Sequence, residues 1–162
     1  MANKPRYWGT LSPLPAQVIT AQAQQFESMG LEGVFAPQVY GPPFIPLAVA
    51  AGATTRLKLA SGIALAFARS PFETAVAAMD MDTVSNGRFV LGLGSSVRSW
   101  SEGFFGMPYG KPVEHLREVI EIVRLVIQKS HTGELGRYDG KDHQLDFSAF
   151  QPLRAPVRTD LP

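Results

Sequence analysis

The sequence contains no cysteine among its 162 residues, which removes thiol nucleophiles, Cys-ligated zinc and iron–sulfur clusters from consideration. It also has no charge excess: 15 Lys and Arg stand against 14 Asp and Glu, a net charge of +1. Phosphate binding along a nucleic acid needs a clustered basic surplus, so no nucleic-acid partner is expected. No run approaches the roughly 18 uninterrupted apolar residues of a membrane span, and Met1-Ala2-Asn3-Lys4-Pro5 leads into no apolar signal core. No membrane partner and a cytoplasmic location are the expectations. What remains, 45% apolar and 18% charged, is the composition of a single globular domain over 1–162, long enough to bury its own core without staples. Thirteen prolines and 15 glycines fall between apolar runs as punctuation.

The first run, Tyr7 to Leu11, ends in Ser12-Pro13 and reads as a buried strand followed by a turn. From Pro15 a helix is predicted with Val18, Ile19, Phe26 and Met29 on one face and Gly30 at its left-handed end. Gly33 to Pro37 is a second strand, Ile45 to Ala53 a small-residue helix, and Leu57 to Ala64 a third strand. Ser70-Pro71-Phe72-Glu73 combines an N-cap serine, proline at the first helical position and glutamate at the third, a capping box, with a helix running to about Ser85. Arg88 to Gly94 is nearly all apolar, which predicts a strand buried on both faces. Pro112 to Lys129 is the best amphipathic helix, with Leu116, Val119, Ile120, Val123, Val126 and Ile127 inward. Arg137–Lys141 and Leu145–Phe147 suggest a short hairpin.

Strand and helix alternating four times over is the signature of a parallel α/β array. A doubly wound nucleotide-binding sheet would carry G-x-G-x-x-G after the first strand, where Ser12-Pro13-Leu14-Pro15 stands instead. The glycine-rich turn is Gly92-Leu93-Gly94-Ser95-Ser96, after the fourth strand and without the third glycine. A (β/α)₈ barrel accepts such turns anywhere on its rim but takes about 250 residues, so this chain has the length and pattern of its first half. The doubly wound nucleotide binder stays as an alternative.

In either architecture ligands gather at the carboxyl ends of the strands. The residues there include Ser12, Gln38, Tyr40, the segment from Gly62 to Arg69, and Gly94 to Arg98. They are not those of a hydrolase: there is no G-x-S-x-G, and His115, His131 and His143 lie in or after the last helix, where they read as surface or helix-end residues and no metal site is expected. Gln38 and Tyr40 either bind a ligand or satisfy a proline-rich loop. Gly62, Gly92 and Gly94 leave bare backbone for a planar ligand, or else serve the turn and the neighbouring strand. Arg88, before the fourth strand, and the Asp80/Asp82 pair read as structural.

Phe67-Ala68-Arg69-Ser70-Pro71 followed by Met81-Asp82-Thr83-Val84-Ser85-Asn86-Gly87-Arg88-Phe89-Val90-Leu91-Gly92-Leu93-Gly94 resembles the R-[HS]-P…L-D-x-L-S-x-G-R-x-x-L-G-x-G pattern of luciferase-like monooxygenases. Ser95 to Arg98, Phe105 to Pro108 and Leu116 to Glu118 are most similar to the coenzyme F420-dependent oxidoreductase branch. The resemblance implies a TIM-barrel fold and hydride transfer between F420, with FMN as alternative, and a small organic substrate. It also implies a non-prolyl cis peptide at Gly62-Ile63 against the cofactor ring, with Gly62, Ile63, Ala64, Arg69, Gly94, Ser95, Ser96 and Arg98 as cofactor contacts. Where the family often has an acid or base after the second strand this chain has Gln38, which hydrogen-bonds but does not exchange protons near neutrality; Glu102 is the nearest ionisable candidate. Because the later βα units are not in this sequence, a non-catalytic subunit that binds flavin weakly is the competing expectation, and a homo-oligomer that covers the open sheet edges is expected with either.

Overall fold

The computed structural model describes residues 6–159, which fall into two compact units. The first comprises residues up to 64 together with 81–92, the second 65–80 together with 93 onward.

The first unit is a four-stranded parallel sheet in the order β1 (Trp8–Thr10), β2 (Gly33–Ala36), β3 (Lys58–Ser61), β5 (Phe89–Val90). Trp8 pairs with Gly33, Val34 with Leu59, and Leu59 with Phe89. That register stacks the fully buried Val34, Leu59 and Phe89 across the sheet. A side chain on Gly33 would lie 2.6 Å from the Trp8 ring, so the opposed pair needs glycine there. Helix α1 (Ala16–Ser28) buries Ile19 and Ala23, whereas Val18 and Met29 are exposed. The buried stripe is thus narrower than the expected one, as suits a helix on the flank of a small sheet. Helix α2 (Phe44–Ala53) buries Pro46, Leu47, Ala50 and Ala51, the small side chains allowing close packing.

The third and fourth predicted strands are each interrupted. Gly62 and Ile63 separate β3 from the two-residue β4 (Ala64–Leu65), and Leu91 and Gly92 separate β5 from β6 (Leu93–Gly94). A side chain enters the ladder there: Ser61 Oγ accepts from the Gly92 N–H in place of a backbone carbonyl and donates to the Gly92 carbonyl, both at 2.9 Å, while that carbonyl also accepts the Ala64 N–H at 2.8 Å. Burial follows suit, with Phe89 fully buried and Val90 to Gly94 only half-buried.

Helix α3 (Pro71–Val84) starts in the second unit and ends in the first. Ser70 Oγ accepts from the Glu73 N–H at 3.0 Å, the cap expected from the sequence, while the Glu73 carboxylate turns to Arg69 Nε at 3.4 Å. The second unit continues with a short helix α4 (Arg98–Gly103), the long α5 (Pro112–Lys129) and the hairpin β7 (Arg137–Asp139) and β8 (Gln144–Asp146). The stripe that α5 buries is His115, Val119, Ile122, Val123, Val126 and Ile127, turned slightly from the expected face so that His115 enters and Leu116 and Ile120 are half-buried. No helix among the described residues is long and apolar enough to cross a membrane.

Candidate functional site

In the first unit the candidates gather where β3 ends. The Gly62–Ile63 peptide is cis, at the bond the resemblance implies. Its segment is pinned by main-chain bonds: Gly62 N–H to the Ala36 carbonyl at 3.0 Å, Gln38 N–H to the Ile63 carbonyl at 3.0 Å, and Ala64 N–H to the Gly92 carbonyl at 2.8 Å. Gly62 and Gly92 are glycine for packing and not for bare access. A Cβ on Gly62 would meet the Phe35 ring at 2.6 Å, and one on Gly92 would fall 2.2 Å from the Ser61 carbonyl oxygen, a clash with backbone. What the segment presents outward is the Ile63 side chain, 38% exposed, beside buried Ala64. Gln38 is buried at 7% exposure, so it is not a rim residue reaching into solvent. Next to this segment, Pro37 and Val39 help line a cavity of about 340 Å³ at the carboxyl ends of β1 and β2.

The structural reading of Arg88 is sharpened. Nε donates to the Ser85 carbonyl at 2.7 Å, Nη1 to Thr54 Oγ1 and the Leu57 carbonyl, and Nη2 to the carbonyls of Ala51 and Thr54. All five N–H donors of the guanidinium are thereby occupied, four of them by carbonyls, of which those of Ala51 and Thr54 are left over at the end of α2. Burial pulls its pKa below the ordinary arginine value, and Glu27 opposes this. Asp82 is buried and Asp80 exposed, so the pair does not act as a unit.

In the second unit, Gly94 closes β6 with its carbonyl accepting the Ala66 N–H at 2.9 Å. The left-handed residue of the turn is Ser96, at φ 59°, and not Gly94. The Ser96 carbonyl accepts Tyr109 Oη–H at 3.0 Å, and Ser95 Oγ leans on the same carbonyl at 3.4 Å. Ser96 shares this left-handed conformation with Asn86, at φ 54°, among the described residues other than glycine. Arg98 donates to Glu102 Oε1 at 2.5 Å and to the Gly110 carbonyl at 3.2 Å, with its guanidinium 5.0 Å from the Tyr109 ring centre. Arg98 and Glu102 therefore pair with each other, on the surface of a helix not foreseen in the sequence.

A second cluster was not anticipated at all. His115, read as a surface residue, is buried, its ring stacked on Phe67 at 3.9 Å between centres and 5° from parallel. The His143 ring lies 4.9 Å from it, and His143 Nδ1 is 3.5 Å from Glu118 Oε2. These histidines, with Arg69 and Asp142, line a cavity of about 140 Å³. Burial, then neighbouring His115, lower the His143 pKa, with Glu118 opposing. Burial also lowers the pKa of Arg69, against the pull of Glu73. Glu118 is the organiser: its carboxylate accepts the N–H groups of Lys141, Asp142 and His143 at 2.7 to 3.0 Å. Among the described residues no group of three or more acidic or histidine side chains is arranged to hold a metal. The signal that could have exposed His115 is its place one residue before Leu116 on a helix whose apolar stripe repeats at 119, 122, 126.

Residues 3–160 match the luciferase-like monooxygenase family. A protein of Mycobacterium tuberculosis, Rv3520c, whose name provisionally makes it a coenzyme F420-dependent oxidoreductase, is 32% identical over 163 residues, covering 96% of this chain and 46% of that protein. The chain spans about half the length of the curated relatives it matches. Among solved structures, the coenzyme F420 dependent tetrahydromethanopterin reductase of Methanopyrus kandleri superposes with a TM-score of 0.75 at 22% identity, over 93% of this chain and 46% of that one. The oxygenating constituent of 3,6-diketocamphane monooxygenase from Pseudomonas putida, solved with FMN, gives 0.77 at 16% identity, over 97% and 49%. These likenesses bear on the fold, a parallel α/β array covering about half of a TIM-barrel enzyme, as the strand pattern predicted. By the match over nearly all of its residues, the chain belongs to the luciferase-like monooxygenase family.

Proposed function

We propose that the chain forms the ring-binding part of a coenzyme F420-dependent oxidoreductase, with FMN as the alternative cofactor, acting on a small organic substrate. Support comes from the provisional F420 name of one relative and from structural neighbours described with F420 or FMN. The observation that carries the reading is the 62–64 segment, fixed on both flanks by main-chain bonds and offering the apolar Ile63 side chain outward. An uncharged, pinned shelf suits the face of a planar ring, because nothing on it must be desolvated or reordered on contact. When bound, the cofactor supplies the centre that gives or takes hydride. Gln38, neutral and buried, is the first unit's candidate for orienting polar atoms beside that shelf. In the second unit Arg69, Gly94, Ser95, Ser96 and Arg98 are candidates for the cofactor's polar groups, and Glu102 for acid–base work once its pairing with Arg98 is broken.

The test is a fluorescence titration of the chain with F420 and, separately, with FMN. Saturable binding of one of them, weakened at least tenfold by Ile63→Asp at unchanged thermal midpoint, is the expected result; absence of saturable binding with both overturns the reading. Association of copies belongs to the same proposal, since β1 and β5 each have a neighbour on one side only within their sheet, and sedimentation reads it directly.

A further inference from the structure

We propose that Tyr109 is the positioning residue of the Ser95–Ser96 turn, ordering its backbone from the loop ahead of α5. That the turn meets the cofactor rests on the oxidoreductase reading; that Tyr109 orders the turn does not.

The turn leaves β6 at Gly94 and enters α4 at Arg98, so Ser95, Ser96 and Val97 stand outside both elements. Ser96 occupies the left-handed region at φ 59°, which a Cβ disfavours, so its occupation depends on contacts from outside the residue. The Tyr109 hydroxyl supplies one, donating to the Ser96 carbonyl at 3.0 Å from 13 positions further along the chain. Ser95 Oγ, at 3.4 Å from the same carbonyl, is the weaker partner.

Tyr109 can hold the turn because it is itself fixed in three ways. Its ring stands edge-on to the buried Phe67, at 5.6 Å between centres and 86°. Its carbonyl lies 3.1 Å from His115 Nδ1; a carbonyl only accepts, so that nitrogen carries the proton, and the His115 ring is stacked on the same Phe67. The Arg98 guanidinium, 5.0 Å from the ring centre, adds a cation–π contact. One side chain thus touches two candidate cofactor contacts, Ser96 through its oxygen and Arg98 through its ring. A residue that only filled the loop would need the ring; the hydroxyl, directed at a main-chain carbonyl of the turn, is what positions.

The experiment compares the full unaltered chain with two variants. Tyr109→Phe keeps the ring and its contacts and removes the hydroxyl. Tyr138→Phe removes, in the same unit, a tyrosine hydroxyl that donates to Glu121 at 2.8 Å, and serves as the control. Without cofactor, backbone NMR should show the Ser96 carbonyl and Cα shifts displaced by Tyr109→Phe, and the order parameters of residues 95–97 lowered from about 0.85 toward 0.6. Tyr138→Phe should change neither. In the F420 and FMN titrations Tyr109→Phe should weaken binding about fivefold, the equivalent of one neutral hydrogen bond, and Tyr138→Phe less than twofold. Unchanged Ser96 shifts and order parameters in Tyr109→Phe overturn the inference, as does equal loosening of the turn in Tyr138→Phe, which would mark a general loss of stability. A loosened turn with undiminished affinity upholds the ordering by Tyr109 and overturns the turn's part in cofactor binding. A loosened turn in a chain that binds neither cofactor upholds the ordering and removes the oxidoreductase reading.

Discussion

The carboxylate of Glu27 and the guanidinium of Arg88 act on one turn, residues 54–57, through its main chain. Glu27 Oε1 accepts the N–H groups of Thr55, Arg56 and Leu57 at 2.9, 2.6 and 3.1 Å. Arg88 donates to the carbonyls of Thr54 and Leu57 at 3.0 and 2.8 Å. The turn that delivers the chain into β3 is thus held by an anion on its donors and a cation on its acceptors, and the register of β3 sets where Gly62 and Ile63 lie.

Arg88→Ala should lower stability by about 2–4 kcal/mol, because several buried carbonyls lose a charged donor together. Arg88→Lys should recover less than half of that, since an ammonium cannot reproduce the planar fork. Urea unfolding midpoints of the three proteins check both statements.

Glu27 and Glu118 share a chemistry and predict an acid limb. For each, burial alone would raise the carboxyl pKa, but three backbone N–H groups and nearby cationic or imidazole partners hold it below the ordinary value. A depressed folded pKa means that the stabilisation is complete above the unfolded pKa, about 4.3, and is lost as the pH falls through the folded one. Glu27→Gln and Glu118→Gln should be less stable at pH 7 and show a shallower loss between about pH 4.5 and 3. Thermal midpoints across that range decide it.

His143 predicts a separate, milder step. Its folded pKa is lowered by burial and by His115, so the unfolded chain binds the proton more readily. Stability from the neutral ring is complete above the unfolded pKa of about 6.5 and declines below it toward the folded value. The thermal midpoint should drop between pH 7 and 5.5, and His143→Gln should flatten that drop; an equal drop in the variant would contradict it.

Gly92→Ala should destabilise the first unit by about 1–3 kcal/mol through overpacking against the Ser61 carbonyl. Ser61→Ala should cost about 1–2 kcal/mol by leaving the Gly92 N–H without its hydroxyl partner, while the Gly92 carbonyl keeps the Ala64 N–H. If the proposed function holds, both should also weaken cofactor binding, because Ser61 directly precedes the pinned segment. Parallel melting and fluorescence titration read the two effects.

The parts of the fold written in local chemistry were legible in the sequence. Ser70 caps α3 as its capping box predicts, Pro112 opens α5, and Arg137 to Asp139 pairs back on β8. The βα alternation located the parallel sheet, and the pattern around Arg69 and Arg88 led to the family. What escaped depended on long-range partners. No propensity reveals that Ser61 replaces a ladder partner of Gly92, which lies 31 residues away, and so splits two strands. His115 was misread because a histidine on a helix carries no mark of burial until Phe67 stacks on it. Arg98 and Glu102, chosen for their charges, stand at i and i+4 of a helix that no apolar periodicity announces, and they pair with each other.

The two glutamate clasps impose an unusual rule on variation. Glu27 and Glu118 recognise main-chain N–H groups at 55–57 and 141–143, with the Arg56 and His143 side chains adding their attraction. Nineteen of the twenty amino acids supply the required donor, and proline is the exception. At the exposed positions Thr55, Arg56, Lys141 and Asp142 the clasp itself therefore excludes proline alone, whereas Leu57, in the core, and His143, beside His115, are held by their side chains as well.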